Sequence, residues 1–150
     1  MRLRLSSTST RTFVVLPAVV LAEQALARRR LRPRWLPLLL WGYLQYRLAG
    51  DYRITRAGGP PGLSQGYPER IITTGIYART RNPMYLGVIT VVLGEAVLFG
   101  SSRLLAYAGA VFVAFNAFVL LYEEPAHRRR FGADFEEYCR RVPRWVPRPW

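Results

Sequence analysis

The sequence predicts an all-α, polytopic membrane protein with about four transmembrane helices. Hydrophobic residues make up 51% of the chain although its net charge is +13, and the charged residues are grouped in blocks. From Met84 to Tyr122, the only side chains that are charged at neutral pH are Glu95 and Arg103. Apolar stretches flanked by arginine blocks are typical of membrane spans whose ends face lipid headgroups.

The first two apolar runs are short. They extend from Thr12 to Ala27 and from Trp35 to Ala49, and each is shorter than the roughly 20 residues that cross a bilayer unaided. We expect both to be membrane helices of an N-terminal region, residues 1–50, although the second could be re-entrant or interfacial. The N-terminus superficially resembles a signal peptide, but further apolar runs follow, so we expect a retained first helix.

A transmembrane hairpin is predicted over residues 84–122. Its two apolar runs extend from Met84 to Phe99 and from Leu104 to Tyr122, with Gly-Ser-Ser-Arg between them. Gly100 can end the first helix in a left-handed conformation, and a serine can cap the second. We therefore expect a tight antiparallel pair of helices.

Polar segments precede and follow the hairpin. Residues 51–83 form a connector that contains the turn-forming stretch AGGPPGL, and residues 123–150 form a tail. In the tail, hydrophobic residues at near-helical spacing predict an amphipathic helix at the membrane interface: Phe131, Phe135, Tyr138 and Val142. Trp145 and Trp150 would then be anchors at headgroup level. The positive-inside rule places the connector and the tail in the cytoplasm. If all four runs span the membrane, however, the arginine-rich residues 28–34 lie on the outer side, which this rule disfavours.

The composition argues against several classes of protein. The single cysteine, Cys139, excludes an intrachain disulfide and a cysteine-cluster metal site, and the single histidine, His127, makes a Ser-His-Asp hydrolase and a His-rich metal site improbable. We therefore predict no metal. Nucleic-acid binding needs a continuous basic face with stacking aromatics, whereas the aromatics here lie in or beside the apolar runs. We predict no nucleic-acid partner.

The hairpin brings polar residues from both of its open ends together. Because its helices are antiparallel, Tyr77, Arg81, Asn82 and Tyr85 can face Glu123 or Glu124. Adjacent helical residues point about 100° apart, so we expect only one of the two glutamates to face a pocket, and we expect Pro125 to mark the helix end. A carboxylate there could bind an ammonium group, a sulfonium-bearing ligand or ribose hydroxyls.

The motifs GIYARTRNPMYLG, EEP, FGADFEEY and RRVPRWVP, in this order around an apolar hairpin, resemble the isoprenylcysteine carboxyl methyltransferase family. That family belongs with the phospholipid methyltransferases, integral membrane enzymes that use S-adenosyl-L-methionine. The resemblance covers roughly Ile71 to Pro147 and implies a single methyltransferase domain with a cytoplasmic cofactor pocket. By position, it implies catalytic roles for Glu123, Arg81 and Tyr85. It implies cofactor binding by a larger set: Glu69, Arg70, Ile71, Ile72, Tyr77, Asn82, Pro83, Met84, Tyr85 and Glu123.

Two positions depart from that family. Asn82 replaces the histidine that is common in its motif, and asparagine cannot accept a proton near neutral pH. Val119 stands where the eukaryotic prenylcysteine enzymes carry an arginine implicated in substrate recognition. The resemblance therefore indicates the cofactor more strongly than the methyl acceptor.

We expect O-methylation of a lipophilic carboxylate or phenolic lipid that enters from the bilayer, because an ionised acceptor needs no strong base once it is aligned. Phospholipid amine N-methylation and a non-catalytic membrane scaffold are the alternatives. Glu95, in mid-span, and Asn116 are candidate substrate contacts, although Glu95 could instead pair with Asn116 or Arg103. We expect an integral protein of a bacterial cytoplasmic membrane, surrounded by membrane lipids, with its cofactor site facing the cytoplasm.

Overall fold

The computed structural model describes residues 22–24, 26–27, 31–57 and 70–149, which contain helices and no strand. Most of the first apolar run, residues 58–69 with Glu69 among them, and Trp150 lie outside the described residues. The elements in chain order are a 3₁₀ turn Pro33–Trp35, α1 Leu36–Ala57, a 3₁₀ turn Gly75–Ala78, α2 Pro83–Phe99, α3 Ser102–Phe118, a π-helical turn Val119–Glu123, α4 Glu124–Phe131 and α5 Ala133–Arg141.

Helix α2 lies at the centre, with α1 packed along one side and α3 along the other. It is apolar around its whole circumference apart from Thr90 and Glu95, and most of its residues are buried, as expected of a helix covered on several sides. Glycines let α1 approach α2 closely. A Cβ at Gly42 would lie 2.7 Å from Val91 N, and one at Gly87 would lie 2.7 Å from Tyr46 N. Small residues at helix contacts are the usual means of close packing in membranes.

Helix α1 extends to Ala57, beyond the apolar run that ends at Ala49. Hydropathy did not indicate this extension, because the helix continues through charged residues and carries an exposed Arg47–Asp51 pair at 3.8 Å, one turn apart. At 22 residues, α1 is about 33 Å long.

The hairpin and its turn are confirmed. Gly100 adopts φ 60°, and its N–H points at the carbonyls of Ala96 and Val97. Ser101 Oγ accepts a hydrogen bond from Leu104 N at 3.4 Å. The helix that follows continues without a break from Ser102 to Phe131 and is long and apolar enough to cross a membrane by length and composition; α2 is a shorter apolar helix. The prediction of four spans stays a prediction.

Pro125 does not end the helix, contrary to prediction. Glu124 N–H donates to Val119 O, five residues back, which closes a π-helical turn. Helix α4 starts at Glu124, so Pro125 occupies its first turn, where a missing N–H is tolerated.

The amphipathic C-terminal helix forms, but its apolar face is not available to the membrane. Phe135 and Tyr138, both on α5, are buried with Val142 against Ile71 and Phe131. The prediction that this face lies in the membrane interface was wrong, because a periodic pattern shows that a face is apolar and not what covers it. Trp145 is likewise packed against α3, where its ring centroid lies 5.2 Å from that of Phe112.

Candidate functional site

A cavity of about 70 Å³ is found at one end of the helices. At this end α2 begins, and the π-helical turn is located there too. We call this the site end and the opposite end, at Gly100, the turn end. The connector, the π-helical turn, α4 and α5 all contribute to the lining, which consists of Ile71, Ile72, Tyr77, Arg81, Asn82, Val119, Glu123, Glu124, His127, Phe131, Phe135 and Tyr138. Residues more than 60 positions apart in sequence therefore meet in one place.

A second cavity of about 30 Å³ lies beside the first and shares Tyr77, Arg81, Asn82 and Glu123 with it. The second cavity adds Arg53 from α1 and the first turn of α2, including Tyr85. Tyr85 Oη donates a hydrogen bond to Glu123 Oε2 at 2.9 Å. Because Glu123 borders both cavities, its carboxylate can interact with groups bound in either one.

Glu124, only 3% exposed, is held by arginines. Arg144 donates to both of its carboxylate oxygens, from Nε at 2.7 Å and from Nη2 at 3.0 Å, and Arg81 Nη1 lies 2.9 Å from Oε1. The prediction that only one glutamate of the pair faces the pocket was wrong, because both line the main cavity. The π-helical turn ends at Glu123, and Glu124 caps it. This turn departs from the 100° spacing on which that prediction rested, and such turns are frequent at functional sites.

Aromatic side chains form one wall of the main cavity. The ring of His127 stacks on Phe131 and Phe135, with centroid distances of 5.8 and 5.3 Å. Tyr138 Oη donates to Tyr77 O at 2.7 Å. Burial raises the pKa of both Tyr77 and Tyr138 well above the usual tyrosine range, so these phenols stay neutral and act as hydrogen-bonding groups.

The end of the tail, residues 143–148, runs along the connector and is called the strap below. Arg81 N donates to Pro143 O at 2.9 Å, and Asn82 Nδ2 donates to Arg144 O at 3.2 Å. The Thr80 hydroxyl, which is almost fully buried, lies 2.9 Å from Arg144 O and 3.1 Å from Trp145 O. The strap thus fixes the backbone from which Arg81 and Asn82 project.

The other predicted site residues are distributed as follows. Pro83, Met84 and Tyr85 line the second cavity, Ile71 and Ile72 line the first, Arg70 is exposed, and Glu69 lies outside the described residues. Asn116 Oδ1 accepts a hydrogen bond from Trp145 Nε1 at 2.9 Å.

Glu95 is buried in mid-helix and lines neither cavity at the site end. It does not pair with the two partners that were considered for it, because Asn116 bonds Trp145 and Arg103 pairs with Glu23 at 3.5 Å.

Sequence reasoning missed several residues of the site: Arg53, His127, Phe131, Phe135, Tyr138 and Arg144. Arg53 lies far in sequence from the motifs, so no local spacing could have found it. Arg144 lies within the motif RRVPRWVP, but nothing in that motif indicated that its side chain would pair with Glu124. Phe131, Phe135 and Tyr138 were predicted to form one face of an amphipathic helix. In the structure, this face lines the main cavity.

The site can bind groups of both charges. Glu123 offers a carboxylate for a cationic group. Arg81 Nε is buried and has no hydrogen-bond partner in the described part of the chain. A buried donor without a partner costs free energy, and an anionic group of a ligand would satisfy it. A ligand that carries a cationic centre and an anionic group matches this arrangement.

Comparisons with known proteins point to one family. Residues 55–134 match the family model described as phospholipid methyltransferase. The chain is also 35% identical over 80 residues to protein-S-isoprenylcysteine O-methyltransferase B of Arabidopsis thaliana, a match that covers 53% of this chain and 40% of that protein. The chain thus spans well under half the length of this relative. No solved structure matches the chain.

Proposed function

The chain belongs to the phospholipid methyltransferase family, and we propose that it transfers a methyl group from S-adenosyl-L-methionine to a lipophilic acceptor. The observation that carries the proposal is the Glu123 carboxylate, held by Tyr85 at 2.9 Å between two cavities that it shares with Arg81.

The residues of the main cavity are compatible with this methyl donor. When bound, S-adenosyl-L-methionine supplies an electrophilic methyl group on a positively charged sulfur. Glu123 would interact with that positive charge or with ribose hydroxyls, Arg81 Nε would donate to the donor's carboxylate, and the aromatic wall at Phe131 and Phe135 would pack against its apolar parts. The enclosed space of about 70 Å³ is smaller than the whole donor, so the donor would extend through the open side.

We assign the acceptor to the second cavity. Its lining includes Arg53, which interacts electrostatically with Glu123, Tyr77 and Tyr85. This positive charge supports an acceptor with an ionised oxygen, a carboxylate or phenolate. Such an acceptor attacks once it is aligned and shielded from water, and needs no base from the protein. The exposed apolar sides of α1 and α3 support entry from the bilayer.

N-methylation of a phospholipid amine is the second candidate. It is supported by Glu123, whose carboxylate could hold an ammonium group, and by the family's name.

A labelling experiment tests the activity and the acceptor together. Membranes that contain the protein are incubated with methyl-labelled S-adenosyl-L-methionine, and extracted lipids are analysed by mass spectrometry. We expect a labelled ester or ether, whereas a labelled amine would favour the second candidate. No labelled lipid, from membranes that contain folded protein, would contradict the proposal.

The role of Arg53 is tested with Arg53→Gln. We expect KM for an acidic acceptor to rise on the order of tenfold, since a hydrogen-bonded charge contact contributes about 1.5–3 kcal/mol, while KM for the donor changes little. Arg56→Gln is the control, because Arg56 lies on the same helix end but is exposed and outside the cavity lining. Equal effects of the two substitutions would refute the assignment.

A further inference from the structure

A separate cleft of about 250 Å³ lies at the turn end, at the far end of α2 from both site cavities. Its walls are the segment Arg32–Trp35 that precedes α1, the end of α2 and the first turn of α3. The lining consists of Arg32, Arg34, Trp35, Ala96, Val97, Gly100, Ser101, Ser102 and Leu105. It shares no residue with the site described above.

The position of Arg32 in this cleft depends on Gly100. Arg32 N donates to Leu98 O at 2.8 Å, which ties the chain before α1 to the end of α2. A Cβ at Gly100 would lie 2.9 Å from the guanidinium carbon of Arg32. The φ of 60° at Gly100 favours a glycine, and the guanidinium of Arg32 occupies the space beside it that a Cβ would fill.

The cleft carries positive charge that its own lining does not neutralise. Arg32 and Arg34 line it, and no acidic residue does so within the described part of the chain. The neighbouring Arg103 does not line the cleft and is paired with Glu23 at 3.5 Å. The N-terminal amides of α3 add the positive end of a 17-residue helix.

The remaining lining is amphipathic. Ala96, Val97 and Leu105 are apolar, whereas Ser102 is polar and starts α3. Trp35 is 37% exposed. The guanidinium carbon of Arg34 lies 5.7 Å from the centroid of the Trp35 ring. Tryptophan is enriched at the headgroup level of membranes, which is also the level of phospholipid phosphates.

We infer that this cleft binds the phosphate of one anionic membrane phospholipid, with Arg32 and Arg34 as the ligands of the phosphate and the apolar wall against the upper acyl chain. The lipid is bound at the membrane face opposite to the site end, so it is neither methyl donor nor acceptor. Its binding does not depend on the proposed function.

Native mass spectrometry of the full chain in detergent tests the inference, with dioleoyl phosphatidylglycerol, dioleoyl phosphatidylcholine and inorganic phosphate as separate probes. We expect one retained phosphatidylglycerol per chain and weaker retention of phosphatidylcholine. In the double variant Arg32→Gln/Arg34→Gln, phosphatidylglycerol affinity should fall roughly 30-fold, since each arginine near an anionic surface contributes about fivefold.

A charge-matched control separates a site from general attraction. Arg140→Gln/Arg141→Gln removes the same charge from the exposed side of α5 and should leave phosphatidylglycerol retention unchanged. Arg34→Gln alone leaves the contact of Arg32 with Gly100 in place and should give about a fivefold loss, so the test stands even if the double variant misfolds.

Three results would overturn the inference. They are equal losses in the cleft and control variants, equal retention of both lipids, and displacement of phosphatidylglycerol by low concentrations of inorganic phosphate. The last result would identify a site for free anions.

Discussion

Replacing Glu124 with glutamine should destabilise the protein strongly, although the change alters only one charge and no side-chain volume. Arg144 donates to both carboxylate oxygens, and Arg81 lies 2.9 Å from one of them. A glutamine offers one acceptor oxygen and places an NH₂ group against a guanidinium. The substitution therefore leaves two positive charges with poor partners.

The size of the effect follows from burial. The side chains of Glu124, Arg81 and Arg144 are 5%, 12% and 30% exposed. Removing one partner of a buried ion pair costs about 3–5 kcal/mol. Because Arg144 can regain some hydration, we expect the lower end, about 3 kcal/mol, which corresponds to a fall in Tm of roughly 6–12 °C for a chain of this size.

The assay is thermal unfolding of purified protein in one detergent, and the chain offers a matched control. Glu137 on α5 pairs with two arginines, Arg140 and Arg141, but its side chain is 46% exposed and theirs are 73% and 68% exposed. Exposed pairs contribute about 0–1 kcal/mol, so Glu137→Gln should lower Tm by at most a few degrees. Similar shifts for the two variants would refute the claim that the Glu124 network stabilises the site.

Three further changes have defined outcomes. Tyr85→Phe removes a 2.9 Å hydrogen bond to the site carboxylate and should weaken donor binding on the order of tenfold, as measured by calorimetry. Gly87→Ala places a Cβ 2.7 Å from a backbone nitrogen of α1 and should cost about 1–3 kcal/mol, whereas Gly109→Ala, with nothing within 4 Å, should not lower Tm. Thr80→Val removes the hydroxyl that holds two strap carbonyls, so trypsin should cleave within the strap faster.

Matched controls make these outcomes decisive. Tyr107→Phe alters an exposed tyrosine of α3 that lines neither site cavity, and should leave donor affinity unchanged. Thr73→Val alters an exposed threonine of the connector and should leave the cleavage rate unchanged. If Tyr107→Phe weakens donor binding as much as Tyr85→Phe does, the hydrogen bond of Tyr85 does not contribute specifically to that binding. If Thr73→Val speeds cleavage as much as Thr80→Val does, the hydroxyl of Thr80 does not hold the strap. Equal Tm values for the two glycine variants would contradict close packing of α1 on α2.

Local signals in the sequence were enough to predict the hairpin and the meeting of its open ends. Gly100 and Ser101 act through the conformation and hydrogen bonds of their own neighbourhood. Once the two helices are antiparallel, Tyr85 and Glu123 must lie at the same end. This pair was therefore within reach of sequence reasoning, without any knowledge of side-chain positions.

The features that were missed depend on contacts between distant segments. The strap pairs with the connector through backbone carbonyls at residues 143–145, and any sequence has such carbonyls. Arg53 lies on a helix that continues beyond its apolar part, so hydropathy ended the helix too early. No residue pattern indicated the π-helical turn at Val119–Glu123, which brings Glu123 and Glu124 to one cavity.

Calorimetric titration of S-adenosyl-L-methionine into folded, detergent-purified protein tests the assignment of the site most directly. We predict one donor bound per chain, loss of that binding in Glu123→Ala, and unchanged binding in Glu137→Ala. A folded wild-type protein that binds no donor, or a Glu123→Ala variant that binds it as tightly as wild type, would contradict the assignment of this cavity as the methyl-donor site.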